Sequence, residues 1–327
     1  MRLIVVGAGA MGTSLAGLYS RHNQVDLWVR REEAFHILQR LRVNEDYLPD
    51  YPIPAEVHLT YGDIDWSQYD LAVLCVPTQF LRGVAQSIGL ADFKGSVINT
   101  AKGLEIGTFK TPCEILEDLG LPSQKVFALS GPSHAEEMCR GVPTSLVLGG
   151  NIEEGKALPV EILESISAKT LRPYFSRDRL GVELGGALKN IIAIACGVSE
   201  GLGYGMNTTS TIITRGLSEI KKYGVHRGAS SETFSGLSCL GDLVTTCCSP
   251  HSRNRNFGRT LVEHAQDPSK WGKLVEGAST VKSLWDETHQ LGFDLPLAHS
   301  IYEVVWNQVE PREVIQSLLT RPYKEED

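Results

Sequence analysis

Four apolar residues, Leu3 to Val6, run straight into Gly7-Ala8-Gly9-Ala10-Met11-Gly12, and this junction restricts the fold more than any other feature of the chain. An unbroken apolar run suits a parallel strand buried on both faces. A G-x-G-x-x-G that closes such a strand and opens a helix is the pattern of a dinucleotide site. Gly7 permits the tight turn, Gly9 lets the backbone approach a pyrophosphate, and Gly12 lets helix and strand pack closely. Ala10 and Met11 lead to a helix expected at Thr13 to Ser20, whose N-terminus offers free N–H groups to the anion.

Further strands are expected at Gln24 to Arg30, Leu71 to Val76, Ser96 to Thr100, Val126 to Leu129 and Ser145 to Leu148. Helical patterns at Gln79 to Ile88 and Thr111 to Leu119 fall between them. The alternation predicts an α/β, Rossmann-like doubly wound parallel sheet over residues 1–177. After Leu171 to Phe175 the patterns become helical, at Leu180 to Gly197, Thr208 to Tyr223, Ser279 to Leu291, Leu297 to Trp306 and Pro311 to Leu319. An all-helical C-terminal domain is therefore expected over 178–327, and a chain of 327 residues is long enough for two domains. The charged tail, Lys324 to Asp327, is expected to fray.

A net charge of -8 argues against a nucleic-acid partner held through its phosphates, but not against a small anion. Seven cysteines without a C-x-x-C suit reduced thiols better than disulfides or a zinc site, so no metal is expected. The apolar start stops at Gly7, as a buried strand does and a signal peptide does not. The run at Ile191 to Val198 is too short to span a bilayer, so the expected location is cytoplasmic.

The end of the second strand selects the cofactor. An acidic residue there binds a ribose 2′-hydroxyl, whereas arginine holds a 2′-phosphate. Arg30-Arg31 favours NADP(H); NAD(H) stays open because a one-residue shift would bring Glu32 into that place. Lys102 follows the strand at Ser96 and should reach the same carboxyl edge, where such sheets bind ligands. Lys189 lies in a helix of small and apolar residues, where burial would lower its pKa and make the amine an acid or base near neutrality.

Together these segments resemble the bacterial-type NAD(P)-dependent sn-glycerol-3-phosphate dehydrogenases along nearly the whole chain. The matching pieces are GAGAMGTSLA at Gly7, CVP at Cys75, AKGLE at Ala101, SGPSHAEE at Ser130 and GALKNIIAI at Gly186. TRG at Thr214, GDLVTTC at Gly241, SRNRNFG at Ser252 and VEG at Val275 complete the set. The resemblance implies that Lys189 is the catalytic acid/base and that Lys102 meets both substrate and cofactor. It implies a substrate site of Asp242, Thr246, Ser252, Arg253, Asn254, Gly131 and Ser133. It also implies cofactor contacts at Ala135, Arg253, Leu274 and Glu276. One departure lies at Ser238-Cys239, where the family usually has alanine and glycine.

The implied activity interconverts dihydroxyacetone phosphate and sn-glycerol 3-phosphate, supplying phospholipid synthesis. The substrate is a small phosphorylated three-carbon molecule, and a homodimer is expected. Two other readings stay open. A ketopantoate reductase also begins GAGAMG, but GALKN with GDL-x-x-T speaks against it. A non-catalytic NADPH-binding sensor would not need Lys189.

Overall fold

The computed structural model describes residues 1–263, Trp271, 274–322 and Glu325. Lys324, Glu326 and Asp327, where a frayed tail is expected, lie outside the described residues. The strands are β1 (Arg2–Val6), β2 (Gln24–Trp28), β3 (Val43–Asn44), β4 (Leu48–Pro52), β5 (Val57–Thr60) and β6 (Leu71–Leu74), followed by β7 (Ser96–Asn99), β8 (Val126–Ser130), β9 (Thr144–Gly150) and β10 (Leu171–Ser176). Eight of them form one sheet in the order β10-β9-β8-β7-β6-β1-β2-β5, and β3 pairs with β4 apart from it. Its helices are α1 (Ala10–Tyr19), α2 (Glu32–Leu41), α3 (Thr78–Ser87), α4 (Pro112–Asp118), α5 (Ala135–Cys139) and α6 (Val160–Ser165). Leu3, Val5, Leu71, Val73 and Ile98 join the core on one face, while Ile4, Val6, Ala72, Leu74 and Val97 join that on the other. Burial on both faces is why these strands read as continuous apolar runs.

Two expectations need correction. The sheet is not parallel throughout, because β9 runs antiparallel to β8 and parallel to β10. The link from β8 to β9 carries only the five-residue α5, which docks on α1 where Ser14 Oγ meets the Ala135 carbonyl at 3.5 Å. An antiparallel neighbour needs no helical crossover of the sheet face. Second, β2 stops at Trp28, so Arg30 and Arg31 lie in the turn that follows, with Arg31 capping α2.

The helices after the sheet are α7 (Arg179–Gly201), α8 (Met206–His226), α9 (Asp242–Cys248), α10 (Arg253–Glu263), α11 (Glu276–Leu291), α12 (Pro296–Trp306) and α13 (Pro311–Leu319). Helix α7 is longer than its apolar run suggests: 23 residues, with a mean hydropathy of 1.4 over its most apolar stretch. By length and composition it could cross a membrane, yet that stretch is wholly buried inside the protein. Glycine lets its neighbours come close. A Cβ on Gly197 would lie 2.0 Å from the Arg255 carbonyl oxygen, and one on Gly258 would lie 2.1 Å from that of Ile194. Backbone thus packs on backbone where α7 crosses α10, and the crossing puts Asn190, next to Lys189, within hydrogen-bond reach of Asn254.

Candidate active site

At the cofactor end, Gly7 has φ +108, and a Cβ there would meet the Cys75 carbonyl oxygen at 2.7 Å. Gly12 already lies inside α1, which starts three residues before the expected Thr13; its Cβ would be 1.9 Å from the Gly7 oxygen. Gly9 is different: nothing lies within 4 Å of where its Cβ would be. Two closed glycines and one open one make a cradle whose free space lies before the N-terminal N–H groups of Ala10, Met11 and Gly12. A dinucleotide's pyrophosphate fits that arrangement. Asn44, which sequence reasoning missed, braces it: its Nδ2 donates to the Ala8 carbonyl and to Thr13 Oγ1, both at 2.9 Å. No local motif announces Asn44, because its partners lie more than 30 residues upstream. Arg30 and Arg31 are exposed at the same edge. Glu32 turns into the first turn of α2, where it accepts the Tyr61 hydroxyl at 3.0 Å.

The chemistry gathers around one carboxylate. Lys189 Nζ donates to Asp242 Oδ1 at 2.6 Å and to Thr246 Oγ1 at 2.5 Å. Lys102 Nζ donates to Asp242 Oδ2 at 2.7 Å and to the Gly131 carbonyl at 3.0 Å. Each ammonium has three N–H donors, so each keeps one without an acceptor among the described residues. Thr246 Oγ1 in turn donates to the Asp242 carbonyl at 2.7 Å, one helical turn back in α9. Ser133 Oγ donates to the same Gly131 oxygen at 2.9 Å, and Gly131 has φ +131.

Burial is the main force on these groups. It pushes Lys189 down to about 8, with the Lys102 charge adding to the fall and Asp242 opposing it. Burial alone would raise Asp242, but its two lysines outweigh it and hold the carboxyl below the usual carboxylate range. Two cations against one buried anion leave an excess of positive charge. That excess would stabilise negative charge developing on a substrate oxygen.

The S-R-N segment lies where α10 begins. Ser252 is buried, and its Oγ accepts the Arg255 N–H at 3.2 Å, capping α10. Its side chain is thus spent on the helix end. Arg253 is exposed at the head of α10, free to meet an anion. Asn254 is tied in by a chain of amides: Gly277 N–H donates to its Oδ1 at 3.0 Å, and its Nδ2 donates to Asn190 Oδ1 at 2.9 Å. Asn190 Nδ2 reaches the Lys102 carbonyl at 3.3 Å. Asn190 was not singled out in the sequence, although its place beside Lys189 was the available signal. Arg255 belongs to the scaffold, paired with Glu200 at 2.8 Å.

Glu276 opens α11, and burial raises its carboxyl above the usual value although Arg253 draws it down. Its Oε1 is sealed from solvent without a partner among the described residues, as are Thr78 Oγ1 and Ser130 Oγ. Unsatisfied buried oxygens along the seam between sheet and helices are what a bound cofactor would complete. Ala135 is buried at the start of α5, beside α1, and Leu274 is half-buried just before α11. The Ser238-Cys239 departure falls in a single turn of π-helix, Leu237–Gly241, leading into Asp242. Cys239 is fully buried, and Gly185 makes room for it: a Cβ there would lie 2.7 Å from the Cys239 Cβ.

Known proteins resemble this chain along its whole length. Residues 2–155 match the family model for the N-terminus of NAD-dependent glycerol-3-phosphate dehydrogenase, and residues 178–316 match that for its C-terminus. The chain is 39% identical over 325 residues to a glycerol-3-phosphate dehydrogenase (NAD(P)+) of Nitrosomonas eutropha, covering 98% of both. It is 37% identical over 336 residues to the protein of that name from Corynebacterium glutamicum, again covering 98% of each. The crystal structure of glycerol-3-phosphate dehydrogenase from Coxiella burnetii superposes with a TM-score of 0.88 at 31% identity, over 98% of this chain and 99% of that one. Two family models that together span most of the chain, and full-length similarity of this kind, lead to one conclusion: the chain belongs to the NAD-dependent glycerol-3-phosphate dehydrogenase family.

Proposed function

We propose that this protein reduces dihydroxyacetone phosphate to sn-glycerol 3-phosphate, preferring NADPH, and so supplies glycerol 3-phosphate for phospholipid synthesis. The observation that carries this reading is Lys189, buried, tuned to about 8 and holding one N–H donor unspent. The bound nicotinamide supplies or takes up the hydride. Lys189 gives its proton to the substrate oxygen as charge builds there, and takes it back in the oxidising direction. Asp242 and Thr246 fix the ammonium, while Lys102 adds positive charge beside the same oxygen. Arg253 and Asn254 hold the phosphate, with Gly131 and Ser133 lining the other side and Ser252 setting the helix end that presents them.

Arg30 and Arg31, exposed at the end of β2, support the preference for NADP(H), and the engagement of Glu32 with Tyr61 leaves the ribose end to them. Gly7, Gly9, Ala10, Met11 and Gly12 hold the pyrophosphate in this reading, with Ala135, Leu274 and Glu276 nearer the nicotinamide. The working division is a cofactor domain at 1–177 and a catalytic domain at 178–327, in a cytoplasmic homodimer.

The deciding experiment follows oxidation of NADPH and of NADH by the purified protein with dihydroxyacetone phosphate, ketopantoate and other keto acids. Turnover of dihydroxyacetone phosphate far above the others is expected. Turnover confined to a keto acid, or cofactor binding without turnover, would remove the reading.

A further inference from the structure

His134 stands at the N-cap of α5, where serine, threonine, aspartate or asparagine would ordinarily accept a backbone N–H. Its side chain makes no cap hydrogen bond. Its Nε2 is closed off from solvent yet has no partner among the described residues. A buried polar atom left unsatisfied costs free energy, so a position like this calls for a ligand. The loop is held at the reacting centre, since the Gly131 carbonyl, three residues earlier, accepts Lys102. The ring also lies beside the segment that opens α10: its centroid is 5.9 Å from that of His251, which sits two residues before Arg253.

We propose that His134 is a substrate-contacting residue, presenting Nε2–H to the phosphate of the bound triose phosphate between Lys189 and the S-R-N segment. The inference rests on the proposed substrate and adds a residue to its recognition. Burial first, and then the Lys189 charge, hold the imidazole below its ordinary value, which favours the neutral ring with its one N–H. Glu136 and Glu137 of α5 and Asp242 of α9 pull the other way, and the His251 ring packs against it. A phosphate dianion would join the carboxylates and raise the imidazole.

The test uses two substitutions and the wild-type protein. His134→Phe keeps a ring against His251 and loses the donor; His134→Gln keeps a donor near the place of Nε2 and loses the ring. For H134F, KM for dihydroxyacetone phosphate is expected to rise about ten- to a hundredfold, the scale of one lost hydrogen bond to a charged group. Affinity for NADPH is expected to hold within about twofold, and H134Q to recover most of the KM. Reduction of unphosphorylated dihydroxyacetone should change little in either variant. In the wild type, the His134 imidazole followed by NMR should titrate at higher pH with saturating sn-glycerol 3-phosphate than with glycerol. A wild-type KM in H134F, equal impairment of H134F and H134Q, equal losses on both substrates, or no ligand-dependent titration shift would each overturn the proposal. Wild-type turnover of dihydroxyacetone phosphate separates these failures from failure of the underlying reading.

Discussion

Asp242 Oδ1 accepts a hydrogen bond from Lys189 Nζ at 2.6 Å, and that contact opposes the burial that pulls the amine down to about 8. In the reducing direction Lys189 must start protonated. kcat for dihydroxyacetone phosphate should hold below pH 8 and fall as pH rises through it; oxidation of sn-glycerol 3-phosphate should rise over the same window. Asp242→Asn removes the charge that keeps the proton on Lys189, so its alkaline fall in the reducing direction should begin at lower pH. A pH–rate profile of each protein measures this, and an unmoved or upward-shifted limb in D242N counts against the coupling.

Lys189→Ala should lower kcat by at least about a hundredfold, the scale of general acid–base catalysis, while NADPH still binds. Stopped-flow turnover together with a fluorescence titration of the cofactor tests both halves. Near-normal turnover would take the proton-transfer role away from Lys189.

Arg30→Asp should weaken NADPH selectively, because it removes a partner of the 2′-phosphate and puts a repelling charge in its place. The measured quantity is kcat/KM for NADPH divided by that for NADH. If the ratio does not fall, the arginines at the end of β2 are a solvated pair only.

Arg253→Ala should impair dihydroxyacetone phosphate reduction, since a hydrogen bond to a charged group is worth about 1.5–3 kcal/mol. The slow reduction of unphosphorylated dihydroxyacetone should be nearly unchanged. Equal proportional losses would show that Arg253 does not read the phosphate.

Two glycine substitutions should move stability in opposite directions. Gly197→Ala forces a Cβ to within 2.0 Å of the Arg255 carbonyl oxygen and should cost at least about 2 kcal/mol, as overpacking does. Gly83 is exposed inside α3 with nothing within 4 Å of its would-be Cβ. Gly83→Ala should therefore gain about 0.4–1 kcal/mol by restricting the unfolded chain. Urea denaturation of the two variants gives both values.

Much of this architecture was legible because the decisive signals are local. The apolar strands β1 and β6 and the glycine turn after β1 depend only on neighbours in sequence. So does the small-residue face of α7. Polar strands were harder: β4 and β5 have partly exposed, broken patterns and gain their order from neighbours far along the chain. The reversal at β9 was invisible because strand direction depends on where the intervening chain docks. At the site, residue types carried the reading of Lys102, Lys189 and Asp242, but not that one carboxylate serves both lysines. Asn44 and Asn190 act through partners far away in sequence, which no spacing rule reveals.

The sheet is complete at Ser176, before Lys189, Asp242 or Arg253 has been added to a chain growing from its N-terminus. None of these three side chains touches the glycine turn, whereas Lys102 finds its carboxylate only in α9. Lys189 becomes a tuned acid only when the helices that bury α7 close around it. A chain lengthening in that order carries every residue of the glycine turn long before it carries Lys189 or the carboxylate that holds it.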